Sequence, residues 1–133
     1  MSWGAASAQP ETAQLQIEVE GLEHQRGQLG LLLYKSAPGF PMDYAKATRS
    51  ILLPIEGAQV QHTFADLPYG RYAVAVMHDE NGNEQLDTNL FGIPKEGNGV
   101  SNNAKGSLGP PSFEDAAIVV DQPEVTIRIR MSY

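Results

Sequence analysis

Apolar and polar residues alternate along several short segments of the chain with the period of a β-strand. Between Gln14 and Glu20, the apolar residues Leu15, Ile17 and Val19 alternate with glutamine and glutamate. Because successive side chains of a strand point to opposite faces, this pattern predicts a strand with one buried and one solvated face. Similar reasoning predicts six further strands, of which the first is more continuously apolar: residues 29–34, 50–55, 59–64, 71–78, 117–121 and 125–131.

These seven strands are separated by turn residues at short intervals, which predicts a single all-β domain over residues 15–133. Antiparallel strands with one polar face bury the other face by stacking as two sheets, so we expect an antiparallel β-sandwich. The spacing of Phe40, Tyr44 and Ala47 predicts a helical insertion of about two turns within residues 41–48. Residues 79–115 show little strand pattern and are rich in asparagine and glycine. Loops of that length in a compact domain usually carry function or are disordered.

The composition excludes several classes of function. The chain has 133 residues, and its 9 basic and 16 acidic side chains give a formal net charge of −7. There is no basic stripe to neutralise phosphates, so we expect no nucleic-acid partner. There is also no apolar run close to the roughly 20 residues of a membrane-spanning helix, so we expect no membrane insertion. The absence of cysteine excludes disulfides, thiolate metal sites and cysteine nucleophiles.

The first 14 residues differ in character from the domain, since they are small and polar apart from Trp3. Ala6-Ser7-Ala8 has the form of a signal-peptidase site, although the basic and apolar parts of a complete signal are missing. Three interpretations of residues 1–14 follow: a signal-peptide remnant, a flexible leader, or a strand donated to another molecule. The first interpretation predicts an extracellular or periplasmic protein.

An acidic stretch follows the predicted strand 71–78 and has the spacing of a calcium loop. Asp79, Asn81, Asn83 and Asp87 occupy its relative positions 1, 3, 5 and 9, and Gln85 at position 7 would offer a backbone carbonyl. Calcium loops use this spacing because alternate residues of a tightly wound loop point at one hard cation. The twelfth position lacks the bidentate glutamate of an EF-hand, so a weak site is expected. The alternative is an Asn/Gly hairpin turn that carries solvated charges.

Polar groups in a second loop are candidates for ligand binding or for structuring the loop. Ser101, Asn102 and Asn103 could bind a ligand, complete a calcium shell, or satisfy the backbone of their own loop. The last role is the commonest for loops rich in asparagine and glycine. His78, at the end of the strand before the acidic stretch, is expected to hydrogen-bond the neighbouring loop.

The central part of the chain resembles a bacterial family of unknown function, DUF2141. The resemblance is carried by the strand Leu67-Pro68-Tyr69-Gly70-Arg71-Tyr72, the loop His78-Asp79-Glu80-Asn81-Gly82-Asn83, and the segments Gly92-Ile93-Pro94 and Ser101-Asn102-Asn103-Ala104. It extends over nearly the whole chain from Leu15 to Tyr133. The resemblance implies a small exported or envelope-associated protein with a transthyretin-like β-sandwich, and it implies no established activity.

The sequence favours a protein without catalytic activity. It contains no Gly-x-Ser-x-Gly elbow, no phosphate-binding loop and no His-Glu-x-x-His motif. The three histidines His24, His62 and His78 are far apart in the sequence, so a shared transition-metal site would require all of them to converge.

Three non-enzymatic functions therefore stay open. The first is an extracellular or periplasmic interaction module with a calcium-binding loop at residues 79–87. The second is a structural subunit that assembles into oligomers or filaments through sheet edges or the N-terminal segment. The third is a binder of a small ligand or carbohydrate that uses Trp3, Tyr69 and Phe91.

Overall fold

A computed structural model describes residues 11–80, 97–105 and 110–133 of the chain. Within these residues the chain forms eight strands, two 3-10 helices and one short α-helix. The strands are β1 (Thr12–Glu20), β2 (Gln28–Tyr34), β3 (Arg49–Pro54), β4 (Val60–Pro68), β5 (Gly70–Asp79), β6 (Asn98–Val100), β7 (Ile118–Val120) and β8 (Glu124–Arg130). The seven predicted strands are all present, and β6 is an addition that lies within the predicted long loop.

The strands form two sheets, as expected for a β-sandwich. One sheet has the order β4-β1-β8, and the other has the order β3-β2-β5-β6, with β7 paired to the beginning of β5. All strand pairs within the described residues are antiparallel except β1 and β8, which run parallel from Gln14–Glu124 to Glu20–Arg130. The prediction of a β-sandwich is confirmed, although its first and last strands are parallel neighbours rather than antiparallel ones.

The main core lies between the two sheets and is built from the alternating residues of the strands. Leu15, Ile17 and Val19 of β1 are buried, as their alternation predicts. They belong to one apolar cluster with inward residues of the opposing sheet, among them Leu31 of β2 and Val76 of β5. Burial of this shared apolar surface is the main stabilising term that holds the sheets together.

A second apolar cluster covers the outer face of the five-stranded sheet. It contains Tyr34 of β2 and Met77 of β5 together with Phe113 from the short α-helix Phe113–Ala116, and Phe40 packs against it. This covering explains why β2 is nearly continuously apolar, because a strand buried on both faces needs no polar side. Ser112 begins the α-helix by accepting a hydrogen bond from the amide of Asp115.

The helical insertion predicted within residues 41–48 is shorter than two turns. It consists of the 3-10 helix Tyr44–Lys46, which begins at Asp43, where the side chain accepts a hydrogen bond from the amide of Ala45. The helix ends because Ala47 is extended and the amide of Thr48 donates to the carbonyl of Leu33 at 2.7 Å. That hydrogen bond draws the chain back to the sheet at the start of β3. In the part of the chain that the structure describes, no helix is long and apolar enough to span a membrane.

Candidate functional site at the end of strand β5

Strand β5 ends by placing three consecutive polar residues on two different faces of its sheet. Val74 and Val76 face the core between the sheets, and the alternation of the strand places His78 on that same side, while Glu80 directly follows the strand. Asp79 therefore lies on the opposite side. His78 and Asp79 are both fully buried, and Ser101 is the third buried polar residue among the described ranges. Buried polar groups of this kind require partners.

Both ring nitrogens of His78 have a hydrogen-bond partner. Its Nε2 lies 2.7 Å from the carbonyl oxygen of Arg26, and its Nδ1 lies 2.5 Å from the hydroxyl of Tyr133. A carbonyl oxygen can only accept, so Nε2 carries the proton and Nδ1 presents a lone pair. The Tyr133 hydroxyl donates to that lone pair. Burial raises the pKa of Tyr133 and outweighs the lowering by a hydrogen bond to the backbone of Glu23, which keeps the hydroxyl protonated at neutral pH.

His24, in the connection between β1 and β2, completes a cluster of two imidazoles and a carboxylate. Its ring centroid lies 4.5 Å from that of His78, and its Nε2 contacts Oε1 of Glu80. The amide of Arg26 donates to Nδ1 of His24 at 3.1 Å, so the proton of the neutral ring lies on Nε2 and points at Glu80. One ligand atom from each of His24, His78 and Glu80 lies within 4.8 Å of the other two.

A glycine allows the β1–β2 connection to approach β5 closely enough to form this cluster. Gly27 has φ of +77°, and a Cβ at this position would lie 2.0 Å from the carbonyl oxygen of Asp79. A side chain is therefore excluded both by the left-handed backbone conformation and by the contact with β5. The next residue, Gln28, begins β2 opposite Asp79. The local geometry of Gly27 thus positions Arg26 and His24 against the end of β5.

The structure places only the first of the five predicted calcium ligands. Asp79 is buried at the end of β5, where its Oδ2 accepts a hydrogen bond from Nε2 of Gln28 at 3.0 Å. The other four predicted ligands lie outside the described residues: Asn81, Asn83, Gln85 and Asp87. The two flanks of that segment meet, since Met77 of β5 pairs with Asn98 of β6 and the amide of His78 donates to the carbonyl of Gly97 at 2.8 Å.

The polar groups of the second loop bond to the backbone of the domain. Ser101 is buried, and its hydroxyl accepts from the amide of Val74 at 2.9 Å and donates to the carbonyl of Ala116 at 2.6 Å. Asn102 donates to the carbonyl of Ala117 at 2.9 Å, and the side-chain oxygen of Asn103 accepts from the amide of Arg130 at 2.9 Å. These bonds join the residues that follow β6 to β5, to β8 and to the segment around the short α-helix.

Sequence reasoning singled out His78 but did not include His24, Glu80 or Tyr133 in a site. The three histidines do not all converge, because His24 and His78 meet while His62 packs edge-to-face against Phe64 on β4. No local spacing in the sequence links His24 with Glu80, since 56 positions separate them. Only the pairing of β2 with β5 brings them together.

Comparison with known proteins identifies one family. A family model described as an uncharacterized protein conserved in bacteria matches residues 17–128, which is most of the chain. No curated protein and no solved structure matches the chain significantly.

Proposed function

We propose that this chain, which belongs to DUF2141, a family of uncharacterized bacterial proteins, is a non-enzymatic β-sandwich interaction module with a calcium-binding loop at residues 79–87. The proposal includes export to the periplasm or the extracellular space. The observation that carries it is that β5 and β6 pair on either side of residues 81–96, which contain the other four proposed ligands, with Asp79 buried at the end of β5.

The anchoring of this segment supports calcium binding on physical grounds. A loop whose ends are already paired loses less conformational entropy when it orders around an ion than one with free ends. Asp79 is held by Gln28, so one carboxylate is already placed at the first position of the calcium spacing. The oxygen-bearing residues that follow provide the hard ligands that calcium prefers. A calcium-bound loop of this kind would present a rigid surface to a partner protein.

The test is a thermal melt of the full chain with and without millimolar calcium, with magnesium as a comparison. For a weak site with a Kd of about 10⁻⁴–10⁻³ M, about 10 mM calcium is roughly 10–100 times Kd and adds about 1.4–2.7 kcal/mol to the free energy of unfolding. The midpoint should therefore rise by several degrees. Asp87→Asn removes a proposed ligand and should abolish most of that rise. Asp121→Asn removes an exposed carboxylate between β7 and β8 and serves as the matched control.

Three results would contradict the calcium proposal. The first is an unchanged midpoint in wild type at saturating calcium, which would reduce the acidic segment to a connecting turn. The second is an equal rise in wild type and Asp87→Asn, which would place the ion elsewhere. The third is an equal rise with magnesium, which would indicate general screening of the net charge of −7.

Assembly through sheet edges is a second candidate function. The observation in its favour is that β3 and β4 each have one hydrogen-bonded neighbour among the described strands, so each has an open edge. An open edge is a template for pairing with another chain. The proposal that the protein binds a carbohydrate has less support, because Tyr69 packs against the main core while Trp3 and Phe91 lie outside the described residues.

A further inference from the structure

We propose that His24, His78 and Glu80 form a binding site for a divalent transition-metal ion of the zinc class, which uses none of the five proposed calcium ligands, although Glu80 lies between Asp79 and Asn81 in the chain. The three residues come from two segments that are distant in sequence, and their ligand atoms already lie within 4.8 Å of one another. Two imidazoles and one carboxylate are a donor set that holds zinc in proteins, with a fourth position left for water or another ligand. The site stands on the inter-sheet side of β5, opposite Asp79.

The hydrogen bonds of His78 prepare one of its nitrogens for a metal ion. Because Nε2 donates to the carbonyl of Arg26, the lone pair of the neutral ring lies on Nδ1. In metal sites the ligating histidine commonly donates its other N–H to a backbone carbonyl, which fixes the ring and its tautomer. A metal ion at Nδ1 would keep the bond to Arg26 and replace only the hydrogen bond that the Tyr133 hydroxyl donates to Nδ1.

His24 and Glu80 face each other in a way that a metal ion can replace. The proton on Nε2 of His24 points at Oε1 of Glu80, and a cation between the two atoms would take the place of that proton. The ring proton would then move to Nδ1 of His24, which would release the amide of Arg26. That amide bond is solvent-exposed, so its loss is a small cost because water can replace it.

The size and accessibility of the cluster suit an ion that enters from solvent. Zinc–nitrogen distances of about 2.0–2.1 Å place tetrahedral ligand atoms roughly 3.3–3.5 Å apart. The widest separation of up to 4.8 Å must therefore shorten by roughly 1.3–1.5 Å, while the contacting atoms Nε2 of His24 and Oε1 of Glu80 must move apart. His24 lies outside the strands, in the β1–β2 connection, where such a shift is feasible. The side chains of His24 and Glu80 are 21% and 26% exposed, whereas His78 is fully buried. The ion would therefore meet the two outer ligands first.

Direct binding of zinc to the untagged, chelator-treated full chain tests the site. Isothermal titration calorimetry should give one zinc ion per chain, with no competition from millimolar calcium, because calcium prefers oxygen ligands. His24→Ala and Glu80→Gln should each weaken zinc binding at least tenfold. His62→Ala removes the histidine that lies on β4 and should leave the affinity unchanged. Asp87→Asn should also leave zinc binding unchanged, which separates this site from the calcium loop.

Several outcomes would overturn the zinc site. One is a zinc affinity that is the same in wild type, His24→Ala and Glu80→Gln. Another is a loss of zinc affinity in His62→Ala or Asp87→Asn as large as the loss in the two site variants. A readout on wild type avoids dependence on how the variants fold. Zinc should shift the imidazole NMR signals of His24 and His78 and leave those of His62 in place. Unshifted signals for His24 and His78 at saturating zinc would reduce the cluster to a hydrogen-bonded structural contact.

Discussion

At the scale of single residues, Tyr34 shows how burial in the second apolar cluster constrains the hydroxyl group of a tyrosine. Its side chain is buried beneath Phe40, whose ring meets it edge-on at 5.2 Å, and its hydroxyl donates to the carbonyl of Asp43 at 2.8 Å. Burial raises the pKa of Tyr34 to about 12, with further contributions from the charges of Asp43 and Tyr44. The neutral phenol is thus favoured in the folded state relative to the unfolded state.

Replacing this hydroxyl should change how stability depends on alkaline pH. The unfolded chain ionises Tyr34 near its ordinary pKa of 10, and the folded protein does so near 12, so wild type loses stability as the pH rises between these values. Tyr34→Phe removes this contribution and should flatten the loss of stability between pH 10 and 12. At pH 7 the variant should be about 1 kcal/mol less stable, because the bond to Asp43 is lost. Urea unfolding at pH 7, 10 and 11 measures both effects. If wild type and Tyr34→Phe lose the same free energy of unfolding as the pH rises, Tyr34 is not the source of the alkaline loss of stability.

At the scale of elements, the short strand β6 holds the two sheets together at one corner. Asn98 exchanges backbone hydrogen bonds of 3.0 and 2.8 Å with Ser132, just after β8, while β6 itself pairs with β5. The approach is close at Gly99, where a Cβ would lie 2.8 Å from Cγ2 of Ile129 and 3.0 Å from the carbonyl of Arg130. At this corner the backbone of β6 therefore packs directly against the core side chain of Ile129 and the backbone of Arg130.

Adding one methyl group at Gly99 should destabilise this corner. Gly99→Ala must push β6 away from β8, and overpacking of this kind costs about 1–3 kcal/mol. Gly57→Ala is the matched control, since its nearest contact, the carbonyl of Gln59, would lie 3.9 Å from the new Cβ. We expect that control to change the free energy of unfolding by less than about 0.5 kcal/mol. Chemical denaturation measures the free energy of unfolding of both variants. If Gly99→Ala is as stable as Gly57→Ala, then β6 can move away from β8 without an energetic cost.

The sequence predicts elements well where burial imposes a long period-2 pattern and poorly elsewhere. β1 and β8 are long enough for their alternation to identify them and their inward faces. β6 has three residues, Asn98-Gly99-Val100, and its pairing is decided by the corner between the sheets rather than by its own composition. The helix after Phe40 is shorter than its spacing predicts because a hydrogen bond from Thr48 to β2 competes with a second turn.

At the scale of the whole molecule, the topology creates the histidine cluster. His24 follows β1, whereas His78 lies near the end of β5 and Glu80 directly follows it, and the antiparallel β2–β5 pair joins these regions. Sequence reasoning could predict a sandwich and a polar end to β5, but it could not determine which strands are neighbours. The sequence likewise could not predict that β1 and β8 pair in parallel, since alternation identifies the buried face of a strand and carries no information about its direction.

The open edges of the sandwich give a prediction about assembly. Leu52 in the edge strand β3 is a partly exposed apolar residue, and a charge at such a position opposes pairing with a second molecule. If the protein assembles through this edge, Leu52→Lys should shift sedimentation from oligomer toward monomer, while Thr63→Lys on β4 should not. A wild-type protein that sediments as a monomer at high micromolar concentration would contradict assembly through either edge.

The parallel pairing of β1 with β8 has a mechanical consequence. Tension that enters through the beginning of β1 and leaves through the end of β8 pulls the two strands in opposite directions along a common axis. The ladder between Gln14–Glu124 and Glu20–Arg130 is then loaded in shear, with its hydrogen bonds sharing the force, whereas an antiparallel pair pulled from one end would open one bond at a time. Unfolding under such a force is governed by the rate at which this ladder breaks. A domain tethered through these two strands would therefore resist stretching and behave as a stiff link in a chain under load.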